Sequence, residues 1–219
     1  MLVPKSLDFQ ETAASARQHG HGAWDPDWIS YVFVARARCS NEICAQPFAL
    51  SGTGGVEPDY DEEGSADWAE YFKPSHCDPM PHIIDIPGKC PDAVKKALGD
   101  AFALFWGYPE SCAGRIRLAL ERLMDHLGIP KRRKAKNGKY VDLKLHDRLD
   151  AFALKDSTAG AQLMALKWVG NAGSHDGVVS QADLLDAFEV LEHVLAEVIE
   201  QRSKKVAALA KKLTQKHKR

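Results

Sequence analysis

The sequence lacks the features that mark several classes of protein. It has no apolar run near the roughly 18–20 residues that a membrane-spanning helix needs. Residues 1–10 carry charges and no apolar signal-peptide core. The five cysteines are odd in number and sparse for this length, which argues against the disulfide framework of a secreted domain. We therefore expect a soluble, cytoplasmic protein that binds no membrane.

Familiar catalytic motifs are also missing. The chain contains no Walker loop, no Rossmann glycine fingerprint, no nucleophile elbow and no His-Glu-x-x-His sequence.

The charged residues are distributed unevenly along the chain, although the net charge is only −1. Residues 1–90 hold 14 acidic and 6 basic side chains, whereas residues 91–219 hold 16 and 23. The asymmetry predicts two regions with different roles.

The N-terminal region, residues 1–87, has the composition of a small β-containing element. Residues 28–38 are dominated by β-branched and aromatic side chains and predict a strand. A turn over 39–44 and a returning strand over 47–50 follow. The glycine-rich residues 51–55 predict a loop, and the prolines between 74 and 87 predict an extended connection without helix.

The region over 88–213 predicts a helical bundle. Apolar side chains recur at helical spacing in segments that begin near residues 91, 110, 143, 158 and 180. Ser180 and Asp183 have the spacing of a capping box, and the apolar stripe that follows can continue to Leu213. Short connections favour antiparallel helices. The predicted fold is mainly α: an antiparallel C-terminal bundle and a basic tail over 214–219, preceded by a small β region resembling a zinc ribbon.

Cysteines of the N-terminal region indicate a candidate metal site. Cys39 and Cys44 follow the predicted strand, where the first ligand pair of a zinc knuckle would stand. A tetrahedral zinc site needs a second pair of ligands. The candidates for that pair are His76, Cys77, His82 and Cys90. The predicted zinc ligands are Cys39, Cys44, Cys77 and Cys90, and the alternative is that these thiols are free.

A glycine-rich segment is the main candidate for chemistry. Residues 170–177 contain three glycines, which predicts that the helix loosens at Gly170 and that a turn displays Asn171 and His175. A histidine can transfer protons near neutral pH, an asparagine can orient it, and Lys167 one turn earlier adds positive charge. The structural alternative is that Asn171 caps backbone groups and His175 bonds a carbonyl between helices.

Two basic segments are candidates for contact with the phosphates of RNA or DNA. One is the tail from Arg202 onwards, which contains no acidic residue. The other is the loop over 131–139, whose six positive charges are Lys131, Arg132, Arg133, Lys134, Lys136 and Lys139. No aromatic residue is interleaved with these cations, so the loop predicts no stacking platform for single strands. The alternative is a solvated face and a frayed terminus.

Several short segments of the C-terminal part form a recognisable set. They are Ile-Ile-Asp-Ile-Pro at 83–87, Cys-Pro at 90–91, Arg-Ile-Arg-Leu-Ala-Leu-Glu at 115–121, Asp-His-Leu-Gly at 125–128, Leu-His-Asp-Arg at 145–148, and residues 167–175. As a set they resemble the domain-of-unknown-function family DUF4145 over roughly residues 80–200. The resemblance implies a cysteine-bearing ribbon before the helices and a bacterial context of defence or nucleic-acid handling.

The helical part also has a distant resemblance to HEPN (higher eukaryotes and prokaryotes nucleotide-binding) domains. Active HEPN ribonucleases carry an arginine, a polar residue, three variable residues and a histidine at a dimer interface. Asn171 and His175 match the last two fixed positions, whereas Gly170 stands where the arginine would neutralise the scissile phosphate. This departure favours a non-catalytic, homodimeric module that binds nucleic acid or a partner protein of a defence system.

Two alternatives remain open beside this interpretation. One is a metal-independent endoribonuclease or toxin that uses His175, Asn171 and Lys167. The other is a purely structural subunit, whose basic segments would show no salt-dependent binding of nucleic acid.

Overall fold

The chain divides into two units, Met1–Pro81 and His82–Arg219. They are seen in a computed structural model that describes residues 1–60, 64, 66–136, 138–172 and 178–218. Among the described helices, none combines the length and the apolar character needed to cross a membrane.

The first unit is built on a four-stranded antiparallel sheet in which each strand pairs with the next along the chain. Its strands are β1 (Asp8–Glu11), β2 (Ser30–Arg38), β3 (Pro47–Tyr60) and β4 (Ala66–Asp78). The one-turn helix α1 (Ala13–Ala16) and a 3-10 turn (Pro26–Trp28) lie between β1 and β2. The strand predicted over 28–38 is confirmed as β2, where alternation buries Phe33 and Ala35.

The glycines of β3 show that the loop predicted over 51–55 is wrong. β3 runs through Gly52 and Gly54 and pairs with β4 along most of its length. A Cβ on Gly52 would collide with the carbonyl oxygen of Lys73, and one on Gly54 would lie 2.9 Å from Phe72. Glycine is a strand residue here, because it allows other groups to approach the backbone closely.

An aromatic cluster covers these glycines on one face of the sheet. Phe72 lies 5.0 Å from Phe9 and 5.3 Å from Phe33, measured between ring centroids, and Tyr31 lies 5.0 Å from Phe9. Rings that cover strand glycines stabilise a sheet. The prediction of a mainly α chain with a zinc-ribbon-like N-terminal region is therefore wrong, since this unit is an extensive antiparallel sheet and the chain is an α + β protein.

The second unit is helical, as predicted for the C-terminal region. Its helices are α2 (Asp92–Phe105), α3 (Pro109–His126), α4 (Leu145–Ala153), α5 (Ser157–Ala172), α6 (Gln181–Glu200) and α7 (Arg202–His217). The apolar faces of α2, α3, α5 and α6 meet in one core, where Phe102, Ile116, Leu163 and Phe188 are fully buried.

Local features of the helical unit both confirm and correct the sequence predictions. The capping box of Ser180 and Asp183 is confirmed at the start of α6. The predicted loosening at Gly170 is wrong, because α5 continues to Ala172. α6 ends where Gln201 adopts the left-handed conformation with a φ of 52°, so α7 is a separate helix. The basic loop over 131–139 is part of a hairpin of β5 (Arg132–Lys134) and β6 (Tyr140–Asp142).

Candidate nucleic-acid interface

Residues 131–142, which we call the basic hairpin, connect α3 to α4 and carry all six cations predicted to bind nucleic acid. In its antiparallel register Arg132 faces Asp142, Arg133 faces Val141, and Lys134 faces Tyr140. Paired residues of an antiparallel ladder project from the same face. Lys134 and Tyr140 therefore share one face, and Arg133 lies on the other.

The cations of the basic hairpin are unequally committed to ion pairs. Lys131 Nζ lies 2.9 Å from Asp125 Oδ2, and Arg132 Nε lies 2.5 Å from Asp142 Oδ1. Arg133, Lys134 and Lys136 are exposed and have no ion pair with any residue that the structure describes. These last three side chains are available to an external anion.

An exposed aromatic ring stands among these cations. The Tyr140 side chain is 71% exposed and lies directly across the hairpin from Lys134. The sequence predicted that no aromatic residue accompanies the lysines, because Tyr140 lies just after the loop. The strand register places Tyr140 opposite Lys134, so that prediction is wrong. A base can stack on such a ring.

The base of the hairpin is fixed by a buried arginine on α4. Arg148 Nη2 donates hydrogen bonds to Asp125 Oδ1 at 2.7 Å and to the Ile129 carbonyl oxygen at 2.9 Å. Burial alone would raise the pKa of Asp125, but hydrogen bonds from Lys131 and Arg148 outweigh it and hold that pKa below its ordinary value. The carboxylate is therefore charged at neutral pH and ties α3 and α4 to the start of the hairpin.

An open pocket of about 560 Å³ adjoins the hairpin and extends its positive surface. Its cationic lining consists of Arg117, Arg122, Lys131, Lys144 and Arg148. Its acidic lining consists of Glu121, Asp125 and Asp142. The excess of cations places positive potential beside the exposed lysines, as expected for a surface that attracts polyanions.

The residues predicted for catalysis lie at the end of α5, and only part of them is described. Lys167 is buried, with its Nζ 3.4 Å from the ring centroid of Trp168, and Asn171 is half-buried. His175 lies outside the described residues. Lys167 and Asn171 are one turn apart on the same helix.

Gly170 stands where α5 and α3 leave no room for a larger side chain. An added Cβ would lie 2.7 Å from the Cβ of Arg117 and 3.0 Å from the carbonyl oxygen of Ala113. The glycine thus permits close contact between α5 and α3, where a larger side chain would force the helices apart.

The cysteines predicted to bind zinc do not form a metal site among the described residues. Cys39 is half-buried and Cys44 exposed, whereas Cys77 and Cys90 are buried in the first and second unit respectively. Burial raises the pKa of the Cys77 and Cys90 thiols. In the described ranges no three His, Cys, Asp or Glu residues are grouped to hold a metal ion.

Comparison with protein families gives the chain its classification. The model of a domain of unknown function, DUF4145, matches residues 100–216, which is more than half of the chain. The chain belongs to the DUF4145 family. This membership confirms the resemblance of the short sequence motifs, and the DUF4145 match includes the whole basic hairpin.

A second domain of unknown function, DUF8608, has a model that matches residues 1–77 of this DUF4145 protein. That match falls within the first unit, Met1–Pro81, and covers its four-stranded sheet except for the last residue of β4. Searches of the curated proteins and of the solved structures each gave no match.

Proposed function

We propose that this DUF4145 protein is a non-catalytic module that binds nucleic acid through the basic hairpin. The observation that carries the proposal is the group of Arg133, Lys134 and Lys136, which are exposed without ion pairs in the described structure. Lysine and arginine side chains in this state can replace the counterions of a phosphate backbone. Binding of this kind depends on salt and depends little on sequence.

The exposed tyrosine favours single-stranded nucleic acid over duplex. Tyr140 lies opposite Lys134, so a phosphate on the lysine places a neighbouring base near the phenol ring. The bases of a duplex are already stacked on one another and offer no free face. We therefore propose RNA or single-stranded DNA as the preferred ligand.

Charge reversal tests this proposal on the full chain. The variant Lys134→Glu/Lys136→Glu removes two hairpin cations, and Lys89→Glu/Lys155→Glu makes the same change at exposed positions of the second unit outside the hairpin. Fluorescence anisotropy with labelled RNA and DNA strands should show at least about a tenfold loss of affinity for the hairpin variant. The control variant should lose about threefold or less, because only its long-range charge has changed.

Two outcomes would contradict the proposal. Equal losses in the hairpin and control variants would mean that net charge alone attracts the strand. Unchanged binding in the hairpin variant would mean that the nucleic acid contacts another surface.

The ribonuclease alternative stays a prediction. Its support is that Arg117 contacts Gly170, so α3 brings an arginine beside the position where the HEPN resemblance expects one. Cleavage of labelled RNA by the wild-type chain, lost in His175→Ala with binding retained, would support this alternative over a non-catalytic module. Absence of cleavage in the wild-type chain would contradict it.

A further inference from the structure

A cleft between α6 and α7 suggests a second interaction that is independent of the hairpin. The cleft has a volume of about 920 Å³ and is bordered by α6, α7 and residues 85–88. Its carboxylates are Asp85, Glu189, Glu192, Glu197 and Glu200, and among the described residues that line it Arg202 is the one arginine or lysine. We call it the acidic cleft.

The carboxylates of the acidic cleft lack cationic partners in the part of the chain that the structure describes. None of the five has an ion pair within the described residues, although Glu192 accepts a hydrogen bond from the Asp85 amide and the two carboxylate oxygens of Glu197 share one from the Ser203 amide. Several like charges held close together repel one another until a cation approaches. The cleft is therefore suited to a basic partner.

Helix α7 has the complementary surface, and its apolar side chains are exposed. Val206, Leu209 and Leu213 recur at helical spacing, and each is more than half exposed. Its cations Lys204, Lys205, Lys211, Lys212 and Lys216 have no ion pair in the described part of the chain. α7 contains no acidic residue and no buried residue. An exposed apolar stripe flanked by cations matches a groove with acidic and apolar walls.

We propose that α7 of a second copy of this chain docks in the acidic cleft. The apolar stripe of the incoming helix packs against Val206 and Ala210 on the α7 wall, and its lysines face Glu189 and Glu200 on the α6 wall. Every chain carries both a cleft and an α7 helix. Reciprocal docking about a two-fold axis therefore closes into a dimer and satisfies both surfaces, whereas one-way docking leaves an open chain.

Sedimentation velocity without nucleic acid tests this dimer. We expect the full chain to sediment at twice its 24.2 kDa mass. Leu209→Glu/Leu213→Glu should sediment as a monomer, and it should fold normally because α7 has no buried residue. The matched control is Leu154→Glu/Leu185→Glu, at exposed leucines outside the cleft and α7, which should remain dimeric.

A charge-swap experiment identifies the two surfaces. Glu189→Lys/Glu200→Lys and Lys211→Glu/Lys212→Glu should each be monomeric alone. Mixing them should restore the dimer mass, because each α7 helix then meets a cleft of opposite charge. Glu192 and Glu197 are left unchanged, since their carboxylates hold backbone amides.

Three outcomes would overturn the inference. They are a wild-type chain that is monomeric at all concentrations, a dimer that persists in the Leu209→Glu/Leu213→Glu variant, and a charge-swapped mixture that stays monomeric. A monomeric chain whose α7 instead binds vesicles of anionic lipid would likewise overturn it and assign the apolar stripe to a membrane surface.

Discussion

Two basic segments of the second unit, the basic hairpin and α7, carry similar charge in different surroundings. The hairpin is fixed at its base by Arg148, and Arg133, Lys134 and Lys136, which have no ion pair in the described structure, accompany the exposed Tyr140. α7 has no buried residue, displays an apolar stripe, and borders carboxylates without ion pairs. Positive charge alone therefore does not identify a ligand. We propose phosphate as the ligand of the hairpin and protein as the ligand of α7 because the apolar surface and the opposite charge beside their cations differ.

The largest effect that separates the two segments should come from the buried anchor of the hairpin. Arg148→Met should lower the free energy of unfolding by about 3 kcal/mol, because Asp125 and the Ile129 carbonyl lose a buried donor. Urea denaturation measures the change. Arg122→Met is the matched control, since Arg122 reaches the same carboxylate at 3.6 Å from a half-exposed position and should cost less than about 1 kcal/mol. Equal losses of unfolding free energy in Arg148→Met and Arg122→Met would show that Arg148 does not fix the base of the hairpin.

A smaller effect should distinguish the two faces of the hairpin. Tyr140→Ala should weaken binding of RNA or single-stranded DNA by about tenfold, because a stacked base contributes about 1–3 kcal/mol. Duplex binding should change by less than about twofold. Val141→Ala removes a side chain on the opposite face and should leave both affinities unchanged. A Tyr140→Ala variant that binds single strands normally would exclude stacking and leave the hairpin with its cations alone.

The smallest effect should appear in the dependence of stability on pH. The pKa of Asp125 is lowered in the folded chain by hydrogen bonds from Lys131 and Arg148, against the opposing effect of burial. The charged Asp125 carboxylate therefore stabilises the folded chain fully above the pKa of about 3.9 that it has in the unfolded chain. This stabilisation is lost as the pH falls through the lower pKa of the folded chain. Unfolding free energies measured between neutral pH and pH about 2 should fall less in Asp125→Asn than in wild type. The same pH dependence of the unfolding free energy in Asp125→Asn and in wild type would contradict a stabilising role for the Asp125 carboxylate.

Local sequence rules predicted the helical unit well because its helices obey them. Val94, Leu98 and Phe102 recur at helical spacing and are buried on α2. The capping box of Ser180 and Asp183 needs only neighbouring residues. Such features require no knowledge of the rest of the fold.

The failures have in common that distant residues decide the structure. Gly52 looks like a loop residue until Phe33 and β4 are placed against it. Gly170 looks like a helix breaker, yet it packs on Arg117 of another helix. Tyr140 joins the basic surface only through the register of β5 and β6. Charge patterns located the candidate interface, but its geometry depends on tertiary contacts that local rules do not contain.

The most direct test of the central claim is the salt dependence of nucleic-acid binding. Affinity for a single-stranded RNA should be measured across a range of salt for wild type, for Lys134→Glu/Lys136→Glu, and for a chain truncated after Glu200. Replacing two hairpin lysines should reduce the slope of log affinity against log salt by about 1.4, because each phosphate contact on a single strand contributes about 0.7. Removal of α7 should leave the slope nearly unchanged. A slope that decreases when α7 is removed but stays at the wild-type value in Lys134→Glu/Lys136→Glu would contradict the claim.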